Sequence, residues 1–296
     1  MFSASRCSLL LIACSVVGCG SGLSVGPTPE PRFGQFADPQ RVTILGDSDD
    51  TMEPFISRDG TYLFFNNSNN PAVNTNLYWA ERVDDLTFQF RGEIGGVNTA
   101  ALEGVASMDR NNVFYFVSTR SYAQTSSTLY RGTFADGTVS GVELVPGISR
   151  STPGIVNFDA EISPDGKTLY FVESQFNASG VPQTADILIA ERSGDTFTRA
   201  SDSATIMRQI NTMTMLEYAP ASSASGRELF FTRLEGSGPV IYTANRPEPA
   251  VPFGAPQRIE AITGFVEAPT LSPDERSLYY HKSEGNRFVI YRVTRQ

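Results

Sequence analysis

The chain has 296 residues, of which 40% are hydrophobic, and this is enough for one large domain or two small domains with a buried core. The composition therefore excludes an intrinsically disordered chain. The net charge is −9, and the two lysines, Lys167 and Lys282, lie far apart with no basic cluster around them. Because nucleic acids are bound through clustered basic side chains, we expect no nucleic-acid partner.

Residues 1–19 have the organisation of an export signal. A positive charge at Arg6 precedes an apolar stretch over residues 9–17, which is too short to cross a bilayer as a helix. The segment ends in Val-Val-Gly-Cys at Cys19, which resembles the lipobox of bacterial lipoproteins. The resemblance implies cleavage before Cys19 and lipidation of that cysteine. It also implies an exported protein, periplasmic or surface-exposed, that contacts the membrane of the cell envelope through its lipid anchor only.

Two other interpretations of this segment stay open. Leu-Ile-Ala-Cys, ending at Cys14, is a second match to the lipobox, although it leaves a very short apolar region. The other is an ordinary cleaved signal peptide with an incidental cysteine. All three cysteines lie at or before Cys19, so the mature domain is expected to hold neither a disulfide nor a thiolate metal site. Residues 20–36 are rich in Gly, Ser and Pro and predict a tether to a domain over residues 37–296.

One short motif recurs in that domain with a period of roughly 50 to 60 residues. Each copy has a Ser, in most copies an Asp two residues later, and then an apolar residue followed by two aromatic residues. The copies are EPFISRDGTYLFF from Glu53, EGVASMDRNNVFY from Glu103, DAEISPDGKTLYF from Asp159, APASSASGRELFF from Ala219 and APTLSPDERSLYY from Ala268. This alignment places the recurring Ser at Ser57, Ser107, Ser163, Ser223 and Ser272. Ser and Asp side chains bond nearby backbone amides and Gly accepts positive φ, so the motif predicts a hairpin turn without chemistry of its own.

Each repeat continues with further β-rich runs, which brings the count to four strands per repeat. Runs such as YLFFNN and NVFYFV are apolar on both faces, as a sheet packed between two neighbouring sheets requires. The Ser-Pro-Asp-Gly turns followed by Leu-Tyr-Phe resemble the PD40, or WD40-like, repeats of TolB-type propellers over residues 37–296. The second copy departs from the pattern by lacking Pro and Gly, and the fourth by lacking Pro and Asp. The resemblance implies a β-propeller and selects no function, because such propellers serve binding, scaffolding and catalysis.

The predicted fold is all-β, a five-bladed β-propeller of four-stranded antiparallel blades. The fifth repeat ends after its third strand, while ADPQRVTIL near the N-terminus is similar to the outer strand GAPQRIEAI. We therefore expect residues 39–45 to complete the last blade and close the ring. A sixth blade would require a degenerate unit that the repeat pattern does not show.

Polar residues at the starts of the inner strands form the candidate binding site. In a propeller these positions surround one mouth of the central channel, where loops gather. The acids are Glu53, Glu103, Asp159, Glu161, Glu217 and Glu267, and the facing basic residues are Arg120, Arg233 and His281. One interpretation is an acidic funnel for a cation, such as calcium, or for a polar ligand. The other is a set of solvated or paired carboxylates at strand ends.

Two classes of function follow from this pattern. The first is a non-catalytic envelope lipoprotein whose propeller is a binding or scaffolding module for an envelope protein or a polysaccharide. The alternative is a carboxylate-dependent glycoside hydrolase of the five-bladed type, since that chemistry needs only two carboxyl groups about 5 to 10 Å apart. The sequence contains no glycosidase motif, and a single histidine cannot build a multi-histidine metal site. We therefore expect no catalytic residue and no resident cofactor or metal.

Overall fold

The computed structural model describes residues 33–70, 73 and 75–296. The predicted export signal, Cys14, Cys19 and most of the predicted tether lie outside the described residues. The described chain is all-β, with five sheets arranged as the blades of a propeller and two short helices, α1 (Tyr122–Thr125) and α2 (Ser203–Ile206). Within the described part, no helix is both long enough and apolar enough to cross a membrane.

Two short strands, β1 (Ala37–Arg41) and β2 (Thr43–Leu45), precede the first repeat, and each repeat then forms one blade. Blade 1 contains β3 (Met52–Ile56), β4 (Tyr62–Asn66), β5 (Leu77–Arg82) and β6 (Thr87–Glu93). Blade 2 contains β7 (Glu103–Met108), β8 (Val113–Ser118), β9 (Leu129–Ala135) and β10 (Thr138–Leu144). Blade 3 contains β11 (Ile155–Ile162), β12 (Thr168–Gln175), β13 (Asp186–Ser193) and β14 (Thr196–Arg199). Blade 4 contains β15 (Leu216–Ser222), β16 (Glu228–Glu235), β17 (Gly238–Asn245) and β18 (Gln257–Arg258), and blade 5 contains β19 (Val266–Leu271), β20 (Ser277–Glu284) and β21 (Arg287–Thr294).

The N-terminal strand closes the ring. β1 pairs antiparallel with β21, with Arg41 opposite Tyr291, and supplies the fourth strand of blade 5. This confirms the predicted five blades and the predicted closure. The predicted extent of the closing strand, residues 39–45, is wrong at its end. The chain crosses to blade 1 after β1, and β2 pairs parallel with the outer strand β6, with Thr43 opposite Thr87.

The five inner strands β3, β7, β11, β15 and β19 contact one another in a ring around the channel. Each inner strand begins at one face of the propeller, which we call the mouth face, together with the loops that join second to third strands. The Ser-x-Asp-Gly turns lie at the opposite face, the turn face. At Ser57, the hydroxyl accepts a hydrogen bond from the Tyr62 backbone N–H at 2.9 Å, while Asp59 accepts one from Thr61 N–H at 3.0 Å. Gly60 adopts φ +77°, a backbone conformation that favours glycine.

The second repeat is aligned differently in the structure than in the sequence. Asp109, not Ser107, occupies the turn position, because its carboxylate accepts the N–H groups of Asn111 at 2.8 Å and Val113 at 2.9 Å. Ser107 lies two residues earlier in β7, and its hydroxyl donates to Glu161 at 3.0 Å. The assignment of Ser107 to the turn was therefore wrong. An aspartate can perform the capping that a serine performs in the other copies.

Five apolar clusters fill the spaces between neighbouring blades, one for each pair. Between blades 1 and 2, Phe64 packs edge to face against Phe114 and Phe134 at centroid separations of 5.1 and 4.9 Å. Trp79 packs against Tyr62 and Phe134 at the rim of the same cluster. Trp79 is thus part of the blade packing, and aromatic contacts of this kind add to the area that each blade buries.

Candidate functional site

A repeated backbone feature points one residue of each inner strand into the channel. All five inner strands have a β-bulge at the same place, shown by a register shift against the second strand. The bulged residues have φ between +49° and +55°, and they are Glu53, Val105, Asp159, Ala219 and Ala268. All five line a single cavity on the channel axis, which we call the axial cavity. A bulge re-aims its side chain, so only Glu53 and Asp159 bring a carboxylate to the axis from this position.

Glu53 and Asp159 have few hydrogen-bond donors around them. Asp159 is 4% exposed and accepts the backbone N–H of Ala219 at 2.8 Å. Glu53 accepts a hydrogen bond from Asn69 at 2.7 Å, and Asn66 is a second side-chain donor beside it. The Oε2 atom of Glu53 is buried and has no partner with ordinary hydrogen-bond geometry among the described residues. Burial raises the pKa of Asp159 to about 7, and the charge of Glu267 acts in the same direction. Burial, followed by the charges of Asp159 and Glu267, also raises the pKa of Glu53 well above its ordinary value. Both carboxyl groups therefore hold their protons to a higher pH than an exposed carboxyl group does.

Glu267 joins this site from the position before the bulge in β19. Its carboxylate accepts hydrogen bonds from the hydroxyl of Tyr218 and from Nε2 of His281, the latter at 3.1 Å. His281 is fully buried, and its Nδ1 accepts the backbone N–H of Glu53 at 3.0 Å. These two partners assign the imidazole proton to Nε2. Burial and the adjacent Glu267 carboxylate raise the pKa of Tyr218, so the phenol remains a hydrogen-bond donor.

A further carboxylate, Glu161, lines the turn-face side of the axial cavity. Glu161 accepts Nη2 of Arg58 at 3.0 Å, the hydroxyl of Ser107 at 3.0 Å and the backbone N–H of Ser222 at 3.2 Å. Arg58 reaches this point from the first turn and also donates to two backbone carbonyls of blades 2 and 3. Glu161 lines the axial cavity, whereas Arg58 lines a separate cavity of about 20 Å³ below it. The ion pair of Arg58 and Glu161 therefore lies between the two cavities.

Two further acids belong to clasps between blades. The Glu103 carboxylate accepts hydrogen bonds from the Thr99 hydroxyl at 2.7 Å and from the Thr99 backbone N–H at 2.9 Å, and it forms an ion pair with Arg120 at 3.2 Å. Glu217 repeats the arrangement with Thr212, at 3.0 Å for both bonds, and with Arg233 at 2.8 Å. Both carboxylates have fully buried side chains. We call these groups the first clasp (residues 97–103 with Arg120) and the second clasp (residues 210–217 with Arg233).

The structure thus divides the predicted site residues into three groups. Glu53, Asp159 and Glu161 line the axial cavity, and Glu267 and His281 adjoin it through the contact of His281 with Glu53. Glu103, Glu217, Arg120 and Arg233 hold the loops that lead into blades 2 and 4. Sequence reasoning missed Tyr218 and Arg58. A signal for Arg58 was present, because it stands where the turns of repeats three and five carry Pro. Tyr218 carried no comparable signal, since tyrosines are frequent throughout the blades.

The axial cavity is small. Its volume is about 30 Å³, room for one or two water molecules at about 15 Å³ each. Pockets that bind small organic ligands usually measure about 300 to 1,000 Å³. Among the described residues, no group of three or more His, Cys, Asp or Glu side chains is arranged to hold a metal ion.

The mouth face carries most of the exposed large apolar side chains of the described chain. Val73 and Val181 lie in loops between second and third strands, Leu234 lies at the end of β16, and Met213, Met215 and Phe265 precede inner strands. The side chain of Met213 is fully exposed, and Met215 is 39% exposed. Only Leu45 and Val83 complete the set of exposed large apolar residues within the described ranges. Contiguous exposed apolar patches mark surfaces that bind partners, and Met213 and Met215 place two of these side chains close together in one loop.

Comparison with known proteins supports the fold and leaves the function open. No family model matches the chain, and no curated protein sequence matches it. A solved structure described as a glycoside hydrolase is similar with a TM-score of 0.58 and 10% identity, over 90% of this chain and 91% of that one. The endo-arabinase from Bacteroides thetaiotaomicron VPI-5482 has a TM-score of 0.53 and 13% identity, over 86% and 97% of the two chains. TolB from Acinetobacter baumannii has a TM-score of 0.45 and 18% identity, over 76% of this chain, which spans about half (46%) of that one. For the first two structures, identities of 10% and 13% show a shared fold alone.

Proposed function

We propose that this chain is a non-catalytic lipoprotein of the cell envelope whose propeller binds a partner protein on its mouth face. The observation that carries the proposal is that six of the eight exposed large apolar side chains of the described chain lie on the mouth face, above the ion pair of Arg58 and Glu161. A surface of this kind binds through apolar contact with another macromolecule. The lipid anchor in the proposal rests on the Val-Val-Gly-Cys segment at Cys19.

Site-specific photo-crosslinking in cells that produce the protein tests this proposal. A photoreactive phenylalanine analogue at Met213 probes the mouth face, and the same analogue at Val83, which is 62% exposed on the turn face, is the matched control. We expect a discrete protein adduct from position 213 and none from position 83, with the adduct identified by mass spectrometry after proteolysis. Equal labelling at both positions, or no adduct at position 213, would contradict a mouth-face binding module. A carbohydrate adduct would replace the protein partner with a polysaccharide.

Glycoside hydrolysis is a second candidate, and one observation favours it. Close to the Glu267 carboxylate, burial and neighbouring acids raise the pKa values of Glu53 and Asp159, which is the direction that an acid catalyst requires. The small volume of the axial cavity argues against it, because a sugar ring would need the cavity to widen. We expect the purified protein to release no reducing ends from linear arabinan. Hydrolysis that disappears in Asp159→Asn would assign catalysis to the cavity and overturn the non-catalytic proposal.

A further inference from the structure

The second clasp forms one wall of a groove between blades 3 and 4 on the mouth face. This groove, which we call the methionine groove, has a volume of about 430 Å³ and is lined by residues 183–186 and 211–216. Its volume lies within the range of about 300 to 1,000 Å³ that is typical of ligand pockets. Met213 and Met215 stand at its edge, and methionine adapts its unbranched side chain to varied apolar surfaces.

The two clasps show that these methionines are not needed to hold the loop. In the first clasp, Asn98 bridges the backbone N–H and C=O of Leu77 at 2.8 and 3.0 Å. In the second, Asn211 bridges the same groups of Ile187 at 2.9 Å each. The first loop reads Asn-Thr-Ala-Ala-Leu-Glu, and the second reads Asn-Thr-Met-Thr-Met-Leu-Glu. Alanines suffice in one loop with the same anchors, so the exposed methionines of the other are available to a partner.

The unpaired acids of the channel indicate that the partner carries a cationic group in addition to its apolar side chain. Glu103, Glu161 and Glu217 each pair with an arginine. Among the described residues, neither Glu53 nor Asp159 forms an ion pair, and Glu267 pairs only with His281. The axial cavity therefore presents acids without a cationic partner among the described residues, in a space of one or two water molecules. A lysine ammonium group is compact enough for such a space, while the planar guanidinium group of arginine is larger.

One strand connects the two places. Leu216, in β15, lines the methionine groove, and Ala219 of the same strand lines the axial cavity. At about 3.3 Å per residue, three residues of strand span about 10 Å. An extended peptide that follows this edge can reach both places with side chains three or four residues apart.

We propose that the mouth face binds an extended segment of a partner protein whose lysine ammonium group enters the axial cavity beside Glu53, Asp159 and Glu267, and whose apolar side chain, three or four residues away, lies in the methionine groove. This inference rests on the proposed function and names the chemistry of the partner. The interaction is noncovalent, and its specificity comes from the spacing between an ammonium group and an apolar group.

Binding of short synthetic peptides to the full propeller tests the inference. The probes are fluorescein-labelled Leu-Ser-Ser-Lys and Leu-Ser-Ser-Ser-Lys, and both reversed sequences, with blocked termini. The matched controls replace Lys by norleucine, which keeps the apolar stem and removes the charge. We expect anisotropy titrations to show at least one lysine peptide binding about 10 to 100 times more tightly than its control, the ratio for a charged hydrogen bond of about 1.5 to 3 kcal/mol. Norleucine peptides with a free N-terminal amine carry an ammonium group but no lysine. Tight binding of these peptides would indicate that the cavity binds the N-terminus of a partner and not its lysine.

Variants assign each half of the interaction. Asp159→Asn should reduce the preference for lysine over norleucine to less than about 3-fold, the ratio left when less than about 0.7 kcal/mol remains. The double variant Met213→Ser, Met215→Ser should weaken the binding of both lysine and norleucine peptides and preserve the preference for lysine. Val83→Ser, on the turn face, should change neither the affinities nor the preference. Equal affinity for lysine and norleucine peptides, or no binding by any lysine peptide, would overturn the inference. A mouth-face adduct at position 213 would still support the proposed function in that case, whereas failure of both experiments would overturn both.

Discussion

Two groups of carboxylates share one channel, and their partners differ. On the turn-face side, Glu161 accepts hydrogen bonds from Arg58, Ser107 and a backbone N–H, and its side chain is 6% exposed. On the mouth side, Glu53 accepts hydrogen bonds from asparagine side chains and Asp159 accepts one from a backbone N–H, and neither pairs with an arginine among the described residues. A buried carboxylate with a full set of donors fastens blades together, whereas one without them retains a proton or awaits a cation. Glu161, on the turn-face side, is therefore structural, and we call its ion pair with Arg58 the lower group. Glu53 and Asp159, on the mouth side, form the upper group, which is the part of the channel that can respond to a ligand.

The largest effect is expected from breaking the lower group. Arg58→Met removes the cation that neutralises Glu161 and should lower the free energy of unfolding by about 3 to 5 kcal/mol, because a buried charge without its partner is strongly unfavourable. Chemical denaturation measures the loss. The double variant Arg58→Met with Glu161→Gln should recover part of it, since the unpaired charge is gone. Arg150→Met, which removes an exposed partner of Glu173, should cost less than about 1 kcal/mol, and an equal cost for the two arginines would refute the distinction.

The upper group should show itself in the pH dependence of stability. The pKa of Asp159 is raised to about 7 from an ordinary value of 3.8, so the folded state holds a proton that the unfolded chain releases. The stability that this proton contributes is fully present below pH 3.8 and is lost as the pH rises towards 7. Asp159→Asn should therefore be more stable than the wild type at pH 8, by up to about 4 kcal/mol, and less sensitive to pH between 4 and 7.

Urea titrations of both proteins at several pH values measure this difference. Asp165→Asn, on an exposed turn at the other face, is the control for the loss of one negative charge. A stability difference between Asp159→Asn and the wild type that stays constant from pH 4 to pH 8 would contradict the raised pKa of Asp159.

A smaller effect is expected from the hydrogen bond between Tyr218 and Glu267. Tyr218→Phe leaves one oxygen of a largely buried carboxylate without its donor and should cost about 1.5 to 3 kcal/mol of unfolding free energy. Tyr242→Phe removes a similar bond, from Tyr242 to Glu235, at a more exposed place where water can replace the hydroxyl. Thermal and urea denaturation of the two variants compare them. An equal loss of unfolding free energy in Tyr242→Phe and Tyr218→Phe would mean that Glu267 is as well hydrated as Glu235, and would contradict the expected difference.

Much of the fold could be predicted from the sequence because its causes are local and repeated. The Ser-x-Asp-Gly turn bonds to its own backbone within five residues, as Ser57 and Tyr62 show, and each copy marks the boundary between an inner and a second strand. The closing strand was recognisable because Asp-Pro-Gln-Arg repeats the pattern of an outer strand. Its end was misplaced because the crossing from β1 to β2 depends on the neighbouring edge of β6 and on nothing within the segment. Ser107 was misaligned because Asp109 performs the same capping with a different side chain.

The candidate site could be predicted only in part. The sequence by itself determined the repeat, its period, the turn face and the supply of acids at the inner-strand starts, because these depend on residues close together in the chain. It did not determine which acids share a cavity or which meet an arginine. Those assignments depend on the bulge that turns Glu53 and Asp159 inwards, and on contacts between distant residues such as Arg58 with Glu161 and Glu53 with His281. Only the tertiary structure decides them, because the acids at the bulge, Glu53 and Asp159, reach the channel axis, whereas Glu103 and Glu217, two residues before the bulge of their strands, belong to the clasps.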